Sequence, residues 1–260
     1  MTGEKKWILE NQGPEGEFYM NGSKAGDVNP YFACMAALGL LAETKNCPIT
    51  ETEKKAVGRY LDWHTGILLE TDGKMGIYRK ESGKLIYKEK ADSEDGYLGM
   101  YLFLMGKYLE KTESTDLPEY WEKGISLALK KIQSLMQDGI TKVSEENTTV
   151  YLMDNLEVWK GLYELEHAGL KDVQAIREMR NKLQAQIEKL FWDDANQRWR
   201  IIENSDLYHQ KEFYPDGVAQ IYPLIYEFPV KEKKKQKILY EQFTEKFQWQ
   251  KLNKKRNGFL

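Results

Sequence analysis

The chain has 260 residues, of which 41% are apolar, 12% aromatic and 30% charged. This composition is typical of a globular protein with a sizeable core and excludes disordered and fibrous classes. Lys and Arg (38) nearly balance Asp and Glu (41), and the formal charge of -3 makes nucleic acid an unexpected partner. The longest stretch without an ionised side chain, 28–42, is shorter than the roughly 20 apolar residues of a membrane-spanning helix, so no span is expected.

A repeat of about 60 residues organises the chain. After a short helix around Trp7, apolar helices are predicted to open near Asn29, Glu94, Asp154 and Asp216, and they must be covered on more than one side. The helices that follow them carry a single apolar stripe and are expected to face solvent. These outer helices are predicted at 52–69, 118–137, 171–191 and 231–247. Short apolar–polar alternations predict small hairpins or extended loops at 15–20, 72–78, 138–143 and 198–202.

This alternation predicts a single all-α domain over 1–260, an α/α toroid of inner and outer helices with short hairpins on one rim. An ordinary α-solenoid is the alternative. Solenoid repeats rarely carry long loops, and long loops inside a compact domain are usually functional. The toroid is therefore the favoured architecture.

Targeting, thiol and cofactor signals are few. Residues 1–6 do not lead into an apolar segment, which fits either a cytoplasmic protein or a mature form whose signal was removed. Cys34 and Cys47 are expected to be free thiols, buried or half-buried. The three histidines lack ligand spacing and no phosphate-binding loop is present, so neither a metal nor an organic cofactor is expected. Two roles stay open for His64, late in the second outer helix: a proton carrier, or, as the favoured role, contact with the carbonyl groups at the helix end.

The openings of the inner helices resemble those of the six-hairpin glycosidase superfamily. They are Val28-Asn29-Pro30-Tyr31-Phe32-Ala33, Ala91-Asp92-Ser93-Glu94-Asp95-Gly96-Tyr97, Tyr151-Leu152-Met153-Asp154-Asn155-Leu156-Glu157 and Phe213-Tyr214-Pro215-Asp216-Gly217-Val218-Ala219-Gln220. The resemblance covers about 7–247 and is strongest to bacterial members without a settled activity. It implies an (α/α)6 barrel of twelve helices, with a carbohydrate cleft formed by loops and inner-helix ends on one face.

Six such repeats need more residues than this chain has, so the closing hairpins are expected to be missing at the C-terminus. Three explanations stay open: an incomplete toroid, a fragment of a longer chain, or a ring that a partner closes. Self-association through the open end is one expected consequence.

Glycoside hydrolysis needs two carboxyl groups, one protonated as the acid and one ionised as the base or nucleophile. Asp92, Glu94 and Asp95 form the densest acidic cluster, and crowded like charges raise a carboxyl pKa toward the acid role. We therefore expect Asp95 or Glu94 to donate the proton. Asp154 and Asp216 occupy the corresponding places in the next two repeats, so one of them is expected to be the second carboxylate.

Aromatic and amide side chains at the same openings are the expected sugar-binding residues. They are Tyr31, Tyr97, Tyr151, Trp159, Tyr214, Asn155 and Gln220. Structural roles stay open for both the candidate catalytic acids and the candidate sugar-binding residues. Asp and Asn are preferred N-caps, and tyrosines on an inner helix also form part of the core.

Two functions follow from these patterns. The first is a carbohydrate-active enzyme, a glycoside hydrolase that cleaves an oligo- or polysaccharide with paired carboxyl groups. The second is a non-catalytic glycan-binding or interaction protein on the same fold. The acids at the openings favour the first, whereas the missing hairpins favour the second. An enzyme that epimerises sugars would need paired histidines in the cleft, and a lyase would need a cluster of Tyr, Arg and His. Neither pattern is visible in the sequence.

Overall fold

A computed structural model of the protein describes most of the chain. The described residues are 2–22, 26–81, 84–114, 116–203, 205, 212–230 and 233–248. The chain opens with a short helix, α1 (Gly3–Glu10), whose N-cap Thr2 accepts a hydrogen bond from the Lys5 backbone N–H. This is the helix predicted around Trp7.

An inner layer of helices follows, each packed against the next along the chain. Its members are α2 (Pro30–Leu41), α4 (Glu94–Thr112), α6 (Leu152–His167) and α8 (Val218–Ile225). Each begins within two residues of its predicted opening. Helices α4 and α6 are buried over most of their surface, as their nearly all-round apolar sequences predict.

Each inner helix is covered by the outer helix that follows it in the chain. The outer helices are α3 (Glu51–Glu70), α5 (Glu119–Leu135), α7 (Gln174–Phe191) and α9 (Lys233–Phe247). Helix α7 begins three residues later than predicted, after Asp172 takes a left-handed backbone conformation (φ 57°) that a helix cannot contain. Residues 231–232, where α9 is predicted to start, lie outside the described residues.

Short strands connect outer to inner helices. β1 (Asp27–Val28), β2 (Gly76–Glu81) and β3 (Lys84–Lys90) form a three-stranded antiparallel sheet. The two smaller hairpins pair β4 (Met136–Gln137) with β5 (Ile140–Thr141), and β6 (Trp192–Asp193) with β7 (Arg198–Trp199). Helix α5 ends at Leu135, earlier than predicted, because the next two residues enter β4. In the described part of the chain, strands are confined to this sheet and these two hairpins.

The inner helices α4 and α6 approach each other closely at glycines. A Cβ atom at Gly99 would lie 2.6 Å from the backbone nitrogen of Val158, and one at Gly106 would lie 2.6 Å from the Glu164 carbonyl carbon. Only glycine allows two helix backbones to come this near. This close contact fixes α6, and the acidic side chains near its start, against α4.

The sequence-based fold class is confirmed: the protein is all-α, with alternating inner and outer helices and short hairpins. Cys34 is buried and Cys47 half-buried, and both are free, as expected. Ile225 on α8 is 57% exposed, so the inner layer presents an apolar side chain to solvent at this end. Association of two copies there stays a prediction.

Candidate active site

A cleft lies where the first turns of the inner helices α2, α4 and α6 meet the segment before α8. Its volume is about 370 Å³, within the range of small-molecule sites. It is lined by Asn29, Tyr31, Phe32, Met35, Asp92, Ser93, Tyr97, Met153, Asp154, Glu157, Tyr214 and Tyr222. Side chains from the openings of all four repeats therefore meet at one place.

Two acidic side chains near the mouth of the cleft have different environments. Asp92, just before α4, is exposed, whereas Asp154 in the first turn of α6 is half-buried. Burial, together with the charges of Asp95 and Glu157, raises the pKa of Asp154 well above its usual range. The cleft thus pairs a solvated carboxyl group with one that favours its protonated form.

Asp95 is fully buried beside this pair and does not line the cleft. Its carboxylate accepts hydrogen bonds from Ser93 Oγ (2.8 Å), the Gly96 backbone N–H (3.0 Å) and Thr141 Oγ1 (2.7 Å). Burial raises the pKa of Asp95 to about 6, and these hydrogen bonds act in the opposite direction. Asp95 therefore links the start of α4 to β5 and supplies charge next to Asp154.

Glu157, which the sequence patterns do not single out, closes the inner end of the cleft. It is 2% exposed, and its Oε1 accepts hydrogen bonds from the hydroxyls of Tyr31, Tyr222 (3.4 Å) and Tyr226 (3.5 Å). Burial raises the pKa of Glu157 to about 8, despite these hydrogen bonds. One sequence signal could have identified Glu157: it lies three residues after Asp154 on an inner helix. A charged side chain that is buried at such a position needs a structural or functional reason.

Aromatic side chains form much of the cleft wall. The rings of Tyr31 and Tyr97 pack 5.6 Å apart, and Tyr97 is almost completely buried. Phe32 and Tyr214 are 50% and 66% exposed at the rim. Of the predicted sugar-binding residues, Tyr31, Tyr97 and Tyr214 therefore line the same cleft as Asp92 and Asp154.

The remaining predicted sugar-binding residues make structural contacts. The Asn155 side chain accepts a hydrogen bond from the Thr141 N–H and donates one to the Thr141 carbonyl in β5. The Gln220 side chain makes the same two hydrogen bonds with the backbone of Trp199. Trp159 is 1% exposed, with its indole N–H donating to Gln184. Tyr151, half-buried, precedes α6 and pairs with Ile202 in an isolated bridge. None of these four residues is among the described residues that line the cleft.

Two of the predicted acids face other cavities. Glu94 forms an ion pair with Lys90 (3.3 Å) in a cavity of about 210 Å³ beside the β2–β3 hairpin. Asp216 lines a small cavity between α8 and α9, and its buried Oδ2 has no hydrogen-bond partner among the described residues. The structure thus brings together Asp92, Asp95 and Asp154, but not Glu94 or Asp216.

Helix capping does not account for the acids of the cleft. Ser93 caps α4 by accepting a hydrogen bond from the Gly96 N–H, and Asn29 caps α2. No side chain caps α6, so Asp154 lies in its first turn without a capping bond. Of the Asp and Asn side chains at these three openings, Asn29 is an N-cap, and Asp95 accepts a hydrogen bond from the Gly96 N–H in the first turn of α4.

Two further observations concern only the part of the chain that the structure describes. There, no group of three or more His, Cys, Asp or Glu side chains is arranged to hold a metal ion. No described helix combines the length and apolarity needed to cross a bilayer. The expected contact of His64 with the carbonyl groups at a helix end is wrong, because the residue lies six positions before the end of α3, fully buried, with Nδ1 3.6 Å from Cys34 Sγ.

The fold is similar to that of known glycosidases. No family model and no curated protein matches the chain. A wild-type glycosidase superposes with a TM-score of 0.58 at 13% identity, over 78% of this chain and 59% of that chain. For a variant of a glycosidase in complex with glucose the TM-score is 0.55 at 12% identity, with the same coverage. A rhamnosidase from Klebsiella oxytoca with rhamnose bound gives 0.58 at 10% identity, over 95% of this chain and 48% of that chain.

These likenesses establish a glycosidase-like helical fold. Because the identities are so low, they describe architecture and not activity. The chain spans about 59% of the length of the first glycosidases it matches.

Proposed function

We propose that the protein is a glycoside hydrolase whose cleft cleaves a glycosidic bond, with Asp154 as proton donor and Asp92 as the second carboxylate. The observation that carries the proposal is the pair of unlike environments: Asp154 is half-buried among other acids, and Asp92 is exposed in the same aromatic-lined cleft. Hydrolysis of a glycoside uses one protonated and one ionised carboxyl group.

Asp154 is a better candidate for the donor than Asp95 or Glu94. Its raised pKa keeps the carboxyl group protonated, and the side chain lines the cleft. Asp95 also has a raised pKa, but three hydrogen bonds hold it fully buried outside the cleft. Glu94 pairs with Lys90 in another cavity. We assign Asp95 a positioning role, since its charge helps to keep Asp154 protonated.

Asp92 is suited to act on water or on the sugar itself. It is exposed at the cleft mouth, where water solvates a carboxylate. The reaction that we propose consumes only water besides the glycan, so no organic cofactor enters it. The similarity to solved glycosidases supports this assignment at the level of the fold.

Aromatic residues at the cleft rim also support a second candidate, glycan binding without turnover. Phe32 and Tyr214 each expose at least half of their side chain, and apolar faces of this kind stack on sugar rings whether or not a bond is cleaved. The two candidates separate when binding and hydrolysis are measured on the same sugars.

The test is reducing-sugar release from a panel of neutral and acidic oligosaccharides. Asp154→Asn and Asp92→Asn are each expected to lose at least about 100-fold in rate, the scale of general acid–base catalysis. Asp138→Asn, the same chemical change in the exposed β4–β5 turn, serves as the control and should keep full activity. Glycan binding without hydrolysis by the wild type would support the second candidate instead. Hydrolysis that survives in Asp154→Asn would contradict the proposed donor.

A further inference from the structure

The inner end of the cleft presents one carboxyl oxygen that the protein leaves without a hydrogen bond. All three hydrogen bonds that the described residues make to Glu157 reach Oε1, from Tyr31, Tyr222 and Tyr226. These tyrosines hold the carboxyl group in one orientation. Its other oxygen, Oε2, has no partner among the described residues although the residue is only 2% exposed. Because Glu157 lines the cleft, Oε2 is available to form a hydrogen bond with a ligand there.

A glycine allows Oε2 to lie close to the backbone of α4. A Cβ atom at Gly96 on α4 would lie 2.7 Å from Oε2 and 2.8 Å from Ser93 Oγ. Ser93 and Glu157 both line the cleft. Gly96 therefore allows these two polar groups to lie together against the start of α4, at the inner end of the cleft.

The charges around this position select what can bind there. Asp92, Asp154 and Glu157 line the cleft, and no ion pair joins any of them to a described residue. Among the described lining residues there is no Lys, Arg or His. A sugar carboxylate would bring another negative charge into this cluster, whereas a sugar hydroxyl brings none. A hydroxyl both donates and accepts, so it pairs with Oε2 whether or not that oxygen carries a proton.

Building on the proposed function, we infer that Glu157 is a specificity-determining residue: its Oε2 binds a hydroxyl of the innermost sugar unit, so that the cleft takes neutral sugars and rejects uronic acids. The tyrosine hydroxyls on Oε1 position Glu157, and Gly96 allows Oε2 to lie against the start of α4. Asp92 supplies the negative charge that disfavours a sugar carboxylate, and no Lys, Arg or His among the described lining residues compensates it.

The test is equilibrium binding by NMR titration of two matched pairs, glucose with glucuronate and galactose with galacturonate. We expect the neutral member of at least one pair to bind, and its uronate to bind at least tenfold more weakly. Glu157→Leu should weaken binding of the neutral sugar at least tenfold, whereas Glu157→Gln should stay within threefold of wild type. Gly96→Ala, whose methyl group would displace Oε2 while the acid is kept, should also weaken binding of the neutral sugar. The control is Glu89→Gln on the exposed face of β3, with unchanged binding.

Several outcomes would overturn the inference. They are uronates that bind as well as their neutral counterparts, failure of all four sugars to bind, and neutral-sugar binding that Gly96→Ala and a folded Glu157→Leu leave intact. Failure of the proposed function would give a different result. If the protein binds neutral sugars with this selectivity but hydrolyses no glycan, the inference about Glu157 stands and the hydrolase assignment is wrong. If it hydrolyses glycans without selectivity against uronates, the hydrolase assignment stands and the inference about Glu157 is wrong.

Discussion

Glu157 makes the stability of the folded protein depend on pH. Its folded-state pKa is about 8 against an ordinary value of 4.5, with burial as the main cause. The folded state therefore retains a proton that the unfolded chain releases. The stability that this group contributes is complete below pH 4.5 and is lost as pH rises to 8, by up to about 1.4 kcal/mol per pH unit.

Glu157→Gln removes this titration and keeps an acceptor for the tyrosine hydroxyls. We expect the variant to gain stability relative to wild type at pH 8, and to gain much less at pH 4.5. Urea denaturation at both pH values measures the difference. An equal change at the two pH values would mean that the carboxyl group is ionised in the folded protein.

His64 has the opposite pH dependence. Burial among Tyr60, Trp63 and Tyr101 lowers its pKa to about 3, and its Nε2 has no hydrogen-bond partner among the described residues. Below pH 6.5 the unfolded chain binds a proton that the folded state does not bind. Stability therefore falls as pH drops from 6.5 toward 3, again by up to about 1.4 kcal/mol per pH unit.

His64→Leu should remove this acid sensitivity. We expect the loss of stability between pH 6.5 and 4.5 to be smaller in the variant than in wild type, as measured by thermal melting across that range. His167→Leu, the same change at an exposed histidine, is the control. The explanation fails if both variants retain the wild-type pH slope.

Sequence reasoning at this scale could identify acids at the helix openings but not the direction in which each one points. Glu94 and Asp95 are neighbours in sequence, yet successive residues on a helix point about 100° apart. One consequently lines the hairpin cavity with Lys90, and the other enters the interior against Thr141. Asp154 and Glu157, three residues apart, share a helix face and both reach the cleft.

At the scale of helices, the contact between α4 and α6 depends on Gly99. Ala is a better helix former than Gly by about 1 kcal/mol, but a methyl group at Gly99 would lie 2.6–2.8 Å from backbone atoms of 157–158. Backbone cannot move aside as a side chain can, so the steric cost should outweigh the helix propensity. We expect Gly99→Ala to destabilise the protein by about 1–3 kcal/mol, the typical cost of overpacking.

Gly66 in α3 is a matched control, because a Cβ built there has no atom within 4 Å apart from its chain neighbours and the adjoining helix backbone. Gly66→Ala is expected to stabilise the protein by up to about 1 kcal/mol through helix propensity alone. Chemical denaturation of the two variants separates packing from propensity. Stabilisation by both substitutions would show that α4 and α6 are not in such close contact.

The helices themselves could be predicted because their apolar patterns repeat locally. A helix that is apolar all round must pack against neighbours on every side, whereas a helix with one apolar stripe packs on one side only. This difference in pattern distinguishes α4 and α6 from α5 and α7. The boundaries that differ depend on particular backbone events, such as the left-handed Asp172 before α7. Patterns of hydrophobicity do not report these events.

At the scale of the whole molecule, the cleft is formed by residues far apart in the chain. Asn29, Asp92, Asp154 and Tyr214 belong to four successive repeats and meet because the inner helices pack side by side with their starts at one end. The repeat pattern was sufficient to predict that the openings converge. Asp216 is the exception: it lies in a π-type turn, Phe213–Gly217, where Tyr214 has an extended backbone, and its side chain lines the cavity between α8 and α9.

Convergence of the repeats predicts that rim residues from different repeats bind one sugar chain together. Phe32 from the first repeat and Tyr214 from the fourth are exposed on the rim of the same cleft. An aromatic contact contributes about 0.5–1.5 kcal/mol, so Phe32→Ala and Tyr214→Ala should each weaken binding of an oligosaccharide by about two- to tenfold. Tyr87→Ala, which removes a 52% exposed aromatic ring from β3 outside the cleft, should leave binding unchanged. Calorimetric titration with one oligosaccharide compares all three variants, and the shared-cleft arrangement is wrong if only one of the two rim residues affects affinity.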